Sequence, residues 1–307
     1  VSDQVAWLSG TGGTFARTVD GGATWQAGVV PGADTLQFRD VHGVDAQTAY
    51  LLSIGSGASS RIYKTIDAGQ TWTLQFVHPE PAGFLDCMDF WDPDHGIAFS
   101  DAVGGQFYLI VTEDGGATWR RLPPESLPPA LPGEGSFAAS GTCLRAVGDR
   151  GVIVGTGAGG RAAVLQSKDR GASWTLVETP VAHGNATSGL TSVALLDGRH
   201  GFAAGGDAAA PEIRQDNIAV TNDGGATWQL AEPPPFTGAI YGMAFAPGRP
   251  SPTLVAAGPK GLAASLDLAH NWTLLDSLTY WTVGFAPDGT GWAAGANGRV
   301  VRLAFPQ

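Results

Sequence analysis

An eight-residue phrase occurs six times along the 307-residue chain, and no other feature restricts its fold as much. It first reads Thr18-Val19-Asp20-Gly21-Gly22-Ala23-Thr24-Trp25. It returns with Asp67 before Trp72, Asp114 before Trp119, Asp169 before Trp174 and Asp223 before Trp228. A worn copy, Ser265-Leu266-Asp267-Leu268-Ala269-His270-Asn271-Trp272, closes the series. Copies recur every ~45–55 residues, with short strands and turns between them, the period of a propeller or a related array.

Each residue type meets a demand of a tight hairpin. The Asp carboxylate accepts backbone N–H groups and holds the bend. The glycine two positions later adopts a backbone angle that a Cβ obstructs. The hydroxyl residues at either end bond across the turn. The Trp opens the next strand as a large apolar plate whose indole N–H needs a partner. Asp20, Asp67, Asp114, Asp169, Asp223 and Asp267 are therefore structural. A calcium loop needs several oxygen ligands at close spacing, with an acid about a dozen positions after the first. These turns offer one carboxylate and a hydroxyl, so no metal is expected. The worn copy, with Ala269 in place of glycine, is expected to make a looser turn.

Helix signals are nearly absent: Gly and Pro punctuate the chain, and β-branched and aromatic residues fill the gaps. The second strand of the repeating unit is found near Trp7, Tyr50, Ile97, Val152, Phe202, Val255 and Trp292. The pattern predicts an all-β, seven-bladed propeller, with six blades as the alternative if the two ends share one sheet. Residues 1–307 are read as one domain, because each unit exposes an apolar face until a neighbour covers it. The first blade is expected to lack its innermost strand and the last its outermost. Val1 aligns partway into a repeat, which predicts a further segment upstream.

The formal net charge is −11, and the lysines are Lys64, Lys168 and Lys260. Phosphate recognition needs clustered Lys and Arg, so nucleic acid is excluded as the expected partner. No apolar run approaches the ~20 residues of a membrane span. Cys87 and Cys143 fall on inner strands of consecutive blades. Those strands are expected to splay, which favours two buried reduced thiols over a disulfide, whose Cα atoms must lie within about 7 Å. No CxxC spacing is present.

The phrase resembles the Asp-box, or BNR repeat, of sialidases and related propellers. The wider unit, with strings such as Trp7-Leu8-Ser9-Gly10, Phe202-Ala203-Ala204-Gly205 and Trp292-Ala293-Ala294-Gly295, is similar to the Ycf48/HCF136-like group of photosystem II stability and assembly factors, which also has bacterial members outside photosynthesis. The resemblance spans nearly the whole chain. It implies a non-catalytic, monomeric assembly scaffold that binds a protein partner, peripheral to a membrane complex, in a periplasmic or otherwise exported compartment. Photosynthetic members dock through an arginine-bearing face, for which Arg39, Arg61, Arg145 and Arg161 are the available residues.

Inner-strand positions place Arg39, Asp86, Arg145, Tyr241 and Trp281 around the channel, as candidates for a small-molecule or peptide-tail site. The alternative is a satisfied polar network. The Pro-rich crossover Leu122–Gly135 suits a lid or a strapped surface loop. The loop Gly205–Asn217, with Asp207, Glu212, Arg214 and Asp216, is read as a solvated excursion, and His183 as solvent-facing. Glycoside hydrolysis of sialidase type is the alternative function. Tyr241 and Tyr280 lack an evident Glu partner, and Asp86 and Asp89 are sent to opposite sides by their odd offset. No cofactor is expected, since Gly155–Gly160 lies in a β blade rather than between a strand and a helix.

Overall fold

The corner phrase builds the same hydrogen bonds at every occurrence. At the first, Thr18 Oγ1 donates to Asp20 Oδ1 (2.8 Å) and accepts the Gly22 N–H (2.9 Å). Asp20 Oδ1 also accepts the Thr24 N–H (2.9 Å), and Oδ2 accepts the Thr24 hydroxyl (2.6 Å). The two residues after the Asp take positive φ throughout, as in Gly21 (68°) and Gly22 (87°). The sixth corner corrects the expectation of a looser turn. Ser265 accepts the Ala269 N–H at 2.9 Å, and Asn271 donates its amide N–H to Asp267 Oδ1 at 2.8 Å and its side-chain N–H to Oδ2 at 2.7 Å. Leu268 (59°) and Ala269 (66°) adopt the left-handed backbone there without glycine, so the carboxylate dictates the bend and the backbone bears the strain.

These corners join strands into seven antiparallel sheets in a computed structural model that describes residues 1–305. Five sheets have four strands. The first has three (Ala6–Ser9, Thr14–Thr18, Gln26–Val29), as does the last (Tyr280–Phe285, Gly291–Gly295, Val300–Leu303). The inner strands of blades 2 to 6 are Gln37–Gly43, Leu85–Phe90, Leu144–Val147, Ser188–Leu195 and Gly242–Ala246. The residue after the corner Asp donates its N–H to the turn between the first two strands of its blade, Ala68 to Gln47, Gly115 to Asp94, Arg170 to Arg150 and Gly224 to Arg199, and in blade 1 Gly21 donates to Gln4, just ahead of the first strand there. Corners and first hairpins thus share one face. The crossovers between blades share the opposite, loop-rich face.

The core lies between the sheets. Six apolar clusters each span one pair of consecutive blades, such as Phe99, Phe107 and Leu109 of blade 3 with Val152, Val154 and Leu165 of blade 4. The corner tryptophans wedge into these gaps: Trp72 meets Trp7 and Phe15 edge-on, and Trp119 meets Phe90. The indole N–H groups of Trp72, Trp119 and Trp228 find no partner, whereas Trp174 bonds Gly171 O and Trp272 bonds Glu232 O. The seam between blades 7 and 1 is thinner. It is closed by Trp25 edge-on to Trp292 (5.5 Å between centroids) and by the Asp3 N–H on Asp288.

Cys87 and Cys143 are joined in a disulfide with Cα atoms 6.1 Å apart, which corrects the expectation of two free thiols. Splaying affects the outer strands; at the hub, neighbouring inner strands come close enough to bridge.

Candidate binding site at the hub

The inner strands carry the residues around the axis, and β-bulges decide where those residues point. A bulge falls at Arg39 in blade 2, Asp86 in blade 3, Thr191 in blade 5 and Trp281 in blade 7. Each extra residue re-aims the side chains after it. Beyond the bulges, His42, Asp89 and Arg145 hold equivalent positions in three consecutive inner strands, paired with Tyr50, Ile97 and Ile153.

This register builds a chain of charge between blades. His42 Nδ1 lies 3.1 Å from Asp89 Oδ1, and Asp89 Oδ2 accepts the Ala146 N–H from blade 4 at 3.0 Å. Burial alone would push Asp89 up, but His42, Arg145 and the Ala146 N–H together outweigh it and hold the carboxyl below its usual range. Asp40 accepts the Met88 N–H from blade 3 at 2.7 Å and the Val41 N–H at 2.8 Å. Burial nevertheless pushes it up to about 7, with the Arg145 charge working against the shift. The Arg145 charge thus favours the ionised form of both acids.

Asp86 is fully buried, and among the described residues no N–H or hydroxyl donor reaches either of its oxygens. Its neighbour is the Asp101 carboxyl on the second strand of the same blade, which accepts the Ser136 N–H at 3.0 Å. Burial raises Asp86 well above its usual value and Asp101 to about 6. A shared proton is the one bond available to such a pair. Asp86 and Asp89 do point to different surroundings. The second carboxylate beside Asp86 comes from the neighbouring strand, a pairing that spacing along the sequence does not reveal.

The axis itself is occupied by the chain. After the Pro-rich crossover, residues 136–142 leave blade 3 and cross the hub before the inner strand of blade 4 begins. Ser140 Oγ donates to Tyr241 O of blade 6 (2.6 Å), and Ser140 O accepts the Thr282 hydroxyl of blade 7 (3.0 Å). Thr142 Oγ1 donates to Ser192 Oγ of blade 5 (2.7 Å). Gly141, at φ 73°, packs so close to Asp40 of blade 2 that a Cβ would collide with its carboxylate. One segment reaching both blade 2 and blade 6 must pass through the centre. Its signal in the sequence is a run of small residues, Ser136-Phe137-Ala138-Ala139-Ser140-Gly141-Thr142, directly before a cysteine.

Tyr241 and Trp281 lie near the loop-rich entrances of adjacent inner strands. Their rings stack with centroids 5.5 Å apart and planes within 7°, and Trp281 is 37% exposed. Arg39 is half-buried, bonded to Gln37 at 3.1 Å, with its Nε unpartnered. The other arginines are engaged elsewhere. Arg61 bonds Ala58 O and the Tyr63 hydroxyl. Arg161 makes a two-point pair with the buried Glu134. The Leu122–Gly135 crossover is strapped down by that pair, by the bridge of Pro129 to Gln106 and by buried Leu127. Tyr280 donates to Asp276 (2.7 Å). Among the described residues, no group of three or more His, Cys, Asp or Glu is placed to hold a metal ion.

No family model matches the sequence, and no curated protein matches it. Solved structures do match in fold. A structure described as Ycf48 bound to D1 peptide superposes with TM-score 0.69 at 14% identity, covering 99% of this chain and 91% of that one. Ycf48 from Cyanidioschyzon merolae gives 0.64 at 18% identity, covering 98% and 91%. An ancestral GH74 enzyme gives 0.60 at 15% identity, covering 98% of this chain but 38% of that one. The chain is a seven-bladed β-propeller similar in fold to Ycf48.

Proposed function

We propose that the chain is a non-catalytic, monomeric scaffold that receives a protein partner on its loop-rich face, with Tyr241, Trp281 and Arg39 at the entrance of the hub as the contact surface. One observation carries this reading: a flat, half-exposed aromatic pair stands beside an axis already filled by residues 140–142. Exposed aromatics and arginines are the residue types that anchor protein partners, and Arg39 stands on the inner strand of blade 2, apart from the aromatic pair. The similar structure described as Ycf48 bound to D1 peptide supports an extended peptide segment as the ligand, by analogy of fold. The disulfide supports an oxidising, exported compartment, in keeping with a place peripheral to a membrane complex. Arg145 and Asp86 act in this reading as supports of the hub rather than as contacts.

Glycoside hydrolysis has less support. Its two carboxyls stand ~5–9.5 Å apart around an accessible sugar, whereas Asp86 and Asp101 touch each other and Asp86 is sealed. Affinity capture from membrane extracts tests the scaffold reading. Loss of the captured partner in Trp281→Ala and Arg39→Ala variants that melt normally is expected. Undiminished capture by both overturns the proposed surface.

A further inference from the structure

A separate cavity of about 150 Å³ opens on the loop-rich face between blades 5 and 6. Three segments wall it: the approach to the inner strand of blade 5, the loop after its second strand, and the crossover into blade 6. They are stitched by main-chain bonds, Ala182 N–H to Asp216 O, Ala208 N–H to Thr187 O and Gly238 N–H to Ile213 O. The Gly205–Asn217 loop is largely exposed and His183 is exposed, as expected, and together they also wall this pocket.

Asn217, Asp207 and His183 bring hydrogen-bond acceptors to its wall, beside Gln215, Asn185 and Ser188, which can also donate. Asn217 is 2% exposed; its Nδ2 donates to Gly238 O at 3.1 Å, which leaves Oδ1 facing no donor. Asp207 Oδ1 accepts the Thr187 hydroxyl (2.6 Å) and the Ala209 N–H (2.9 Å). Oδ2 accepts Asn185 Nδ2 (2.9 Å) and keeps a free lone pair. The Thr187 hydroxyl, Asn185 and the Ala209 N–H hold this carboxyl below its usual range, so it is charged at neutral pH. His183 Nδ1 lies 2.7 Å from Val181 O, which can only accept, so Nδ1 donates, and the tautomer that does so presents Nε2 as an acceptor. The nearest arginine is turned away: Arg214 bonds Pro233 O, Pro234 O and Glu232. Among the described residues, no lysine or arginine lines the pocket.

We propose that this pocket binds a cationic, donor-rich nitrogen head group, an alkyl-ammonium or alkyl-guanidinium, through Asp207, the Asn217 side-chain oxygen and His183. The cavity has the volume of about five waters, enough for such a head and a short stem. The buried Asn217 oxygen gains the donor it lacks, and the net charge of −11 draws cations toward the surface. The same head group is carried by free amines and by Lys or Arg side chains of a peptide. The inference does not depend on the scaffold reading, since it concerns a different cavity and a ligand that can be a small molecule.

Calorimetric titration of the folded chain with n-butylguanidinium, n-butylammonium and neutral n-butylurea tests it. Saturable binding of a cation in the millimolar range or tighter, with none of the urea, is expected. Asp207→Asn should weaken it by about tenfold or more, as for loss of one charge-assisted contact. His183→Ala, at an exposed rim position, should weaken it several-fold and keeps the test decisive if the Asp207 variant fails to fold. A blocked arginine peptide set against its citrulline counterpart separates the sources: tighter binding than n-butylguanidinium assigns the head group to a peptide, and equal binding to a free amine. Equal binding of the urea, no saturable cation binding, or unchanged affinity in both variants overturns the proposal.

Discussion

The corners at the rim and the inner strands at the hub use the same residue type, aspartate, to opposite ends. A corner carboxylate is exposed and surrounded by donors; the Thr24 hydroxyl and N–H and the Thr18 hydroxyl draw Asp20 down to about 2, and Asp169 and Asp223 reach about 2 likewise. The hub carboxyls are buried, and burial holds Asp40, Asp86 and Asp101 above their usual values. At the rim one local solution repeats. At the hub each acid has different company: two backbone N–H groups for Asp40, another carboxyl for Asp86, and a histidine for Asp89. Repetition sets the shape, and its breakdown at the centre makes this propeller individual.

The largest expected effect tests how far the hub depends on covalent closure. Cys87→Ser with Cys143→Ser should lower stability by about 4 kcal/mol in denaturant titrations, from the loop that the bond closes. A loss no larger than that of a surface substitution would mean the bonds of residues 136–142 alone hold the centre.

The next effect sets rim against hub through pH. The corner carboxyls are depressed below their ordinary 3.8, so their stabilisation is present above that value and fades as the pH falls toward 2. Asp40, Asp86 and Asp101 are raised, so the folded state keeps protons that the unfolded chain loses; their contribution is full below about 4 and declines as the pH rises through 6 and 7. Thermal melts should therefore peak near pH 4 and decline from there toward neutral pH. Asp86→Asn, which needs no proton to stay neutral, should flatten the neutral side and leave the acid side unchanged. A neutral limb that keeps its slope in this variant would remove Asp86 from the account.

Within the rim, Asp114→Ala and Asp267→Ala should lower the melting temperature by similar amounts, because their bond sets match. A much milder effect at Asp267 would restore the idea of a loose sixth corner. The smallest effect is a gain: Ala269→Gly should stabilise by about 1 kcal/mol by relieving a left-handed alanine.

The sequence discloses the rim because every contact of a corner lies within eight residues, where the chemistry of Asp, Gly and Thr decides the outcome alone. It discloses the hub poorly. Bulges at Arg39, Asp86, Thr191 and Trp281 shift the alternation by which facing residues are inferred. Asp86 meets Asp101 across strands, and Cys87 meets Cys143 across blades. The five nominated hub residues separate accordingly. Tyr241 and Trp281 come together, Arg39 stands half-buried in its own blade, Arg145 balances acids, and Asp86 is sealed. Residues 136–142 carry no charge or periodicity to mark them, yet they fill the space those side chains would otherwise share.

That filling segment acts as an axle threaded through its own wheel. The sockets for Ser140 and Thr142 lie on blades 5, 6 and 7, which follow it in the chain, so it can seat only after the later half of the wheel is made. Fragments ending after blade 4 would hold an axle without bearings, and fragments beginning at blade 5 would hold bearings without an axle. Order should therefore arrive late and all at once during folding, with the thin gap between blades 7 and 1 drawn shut from the centre rather than zipped from its edges.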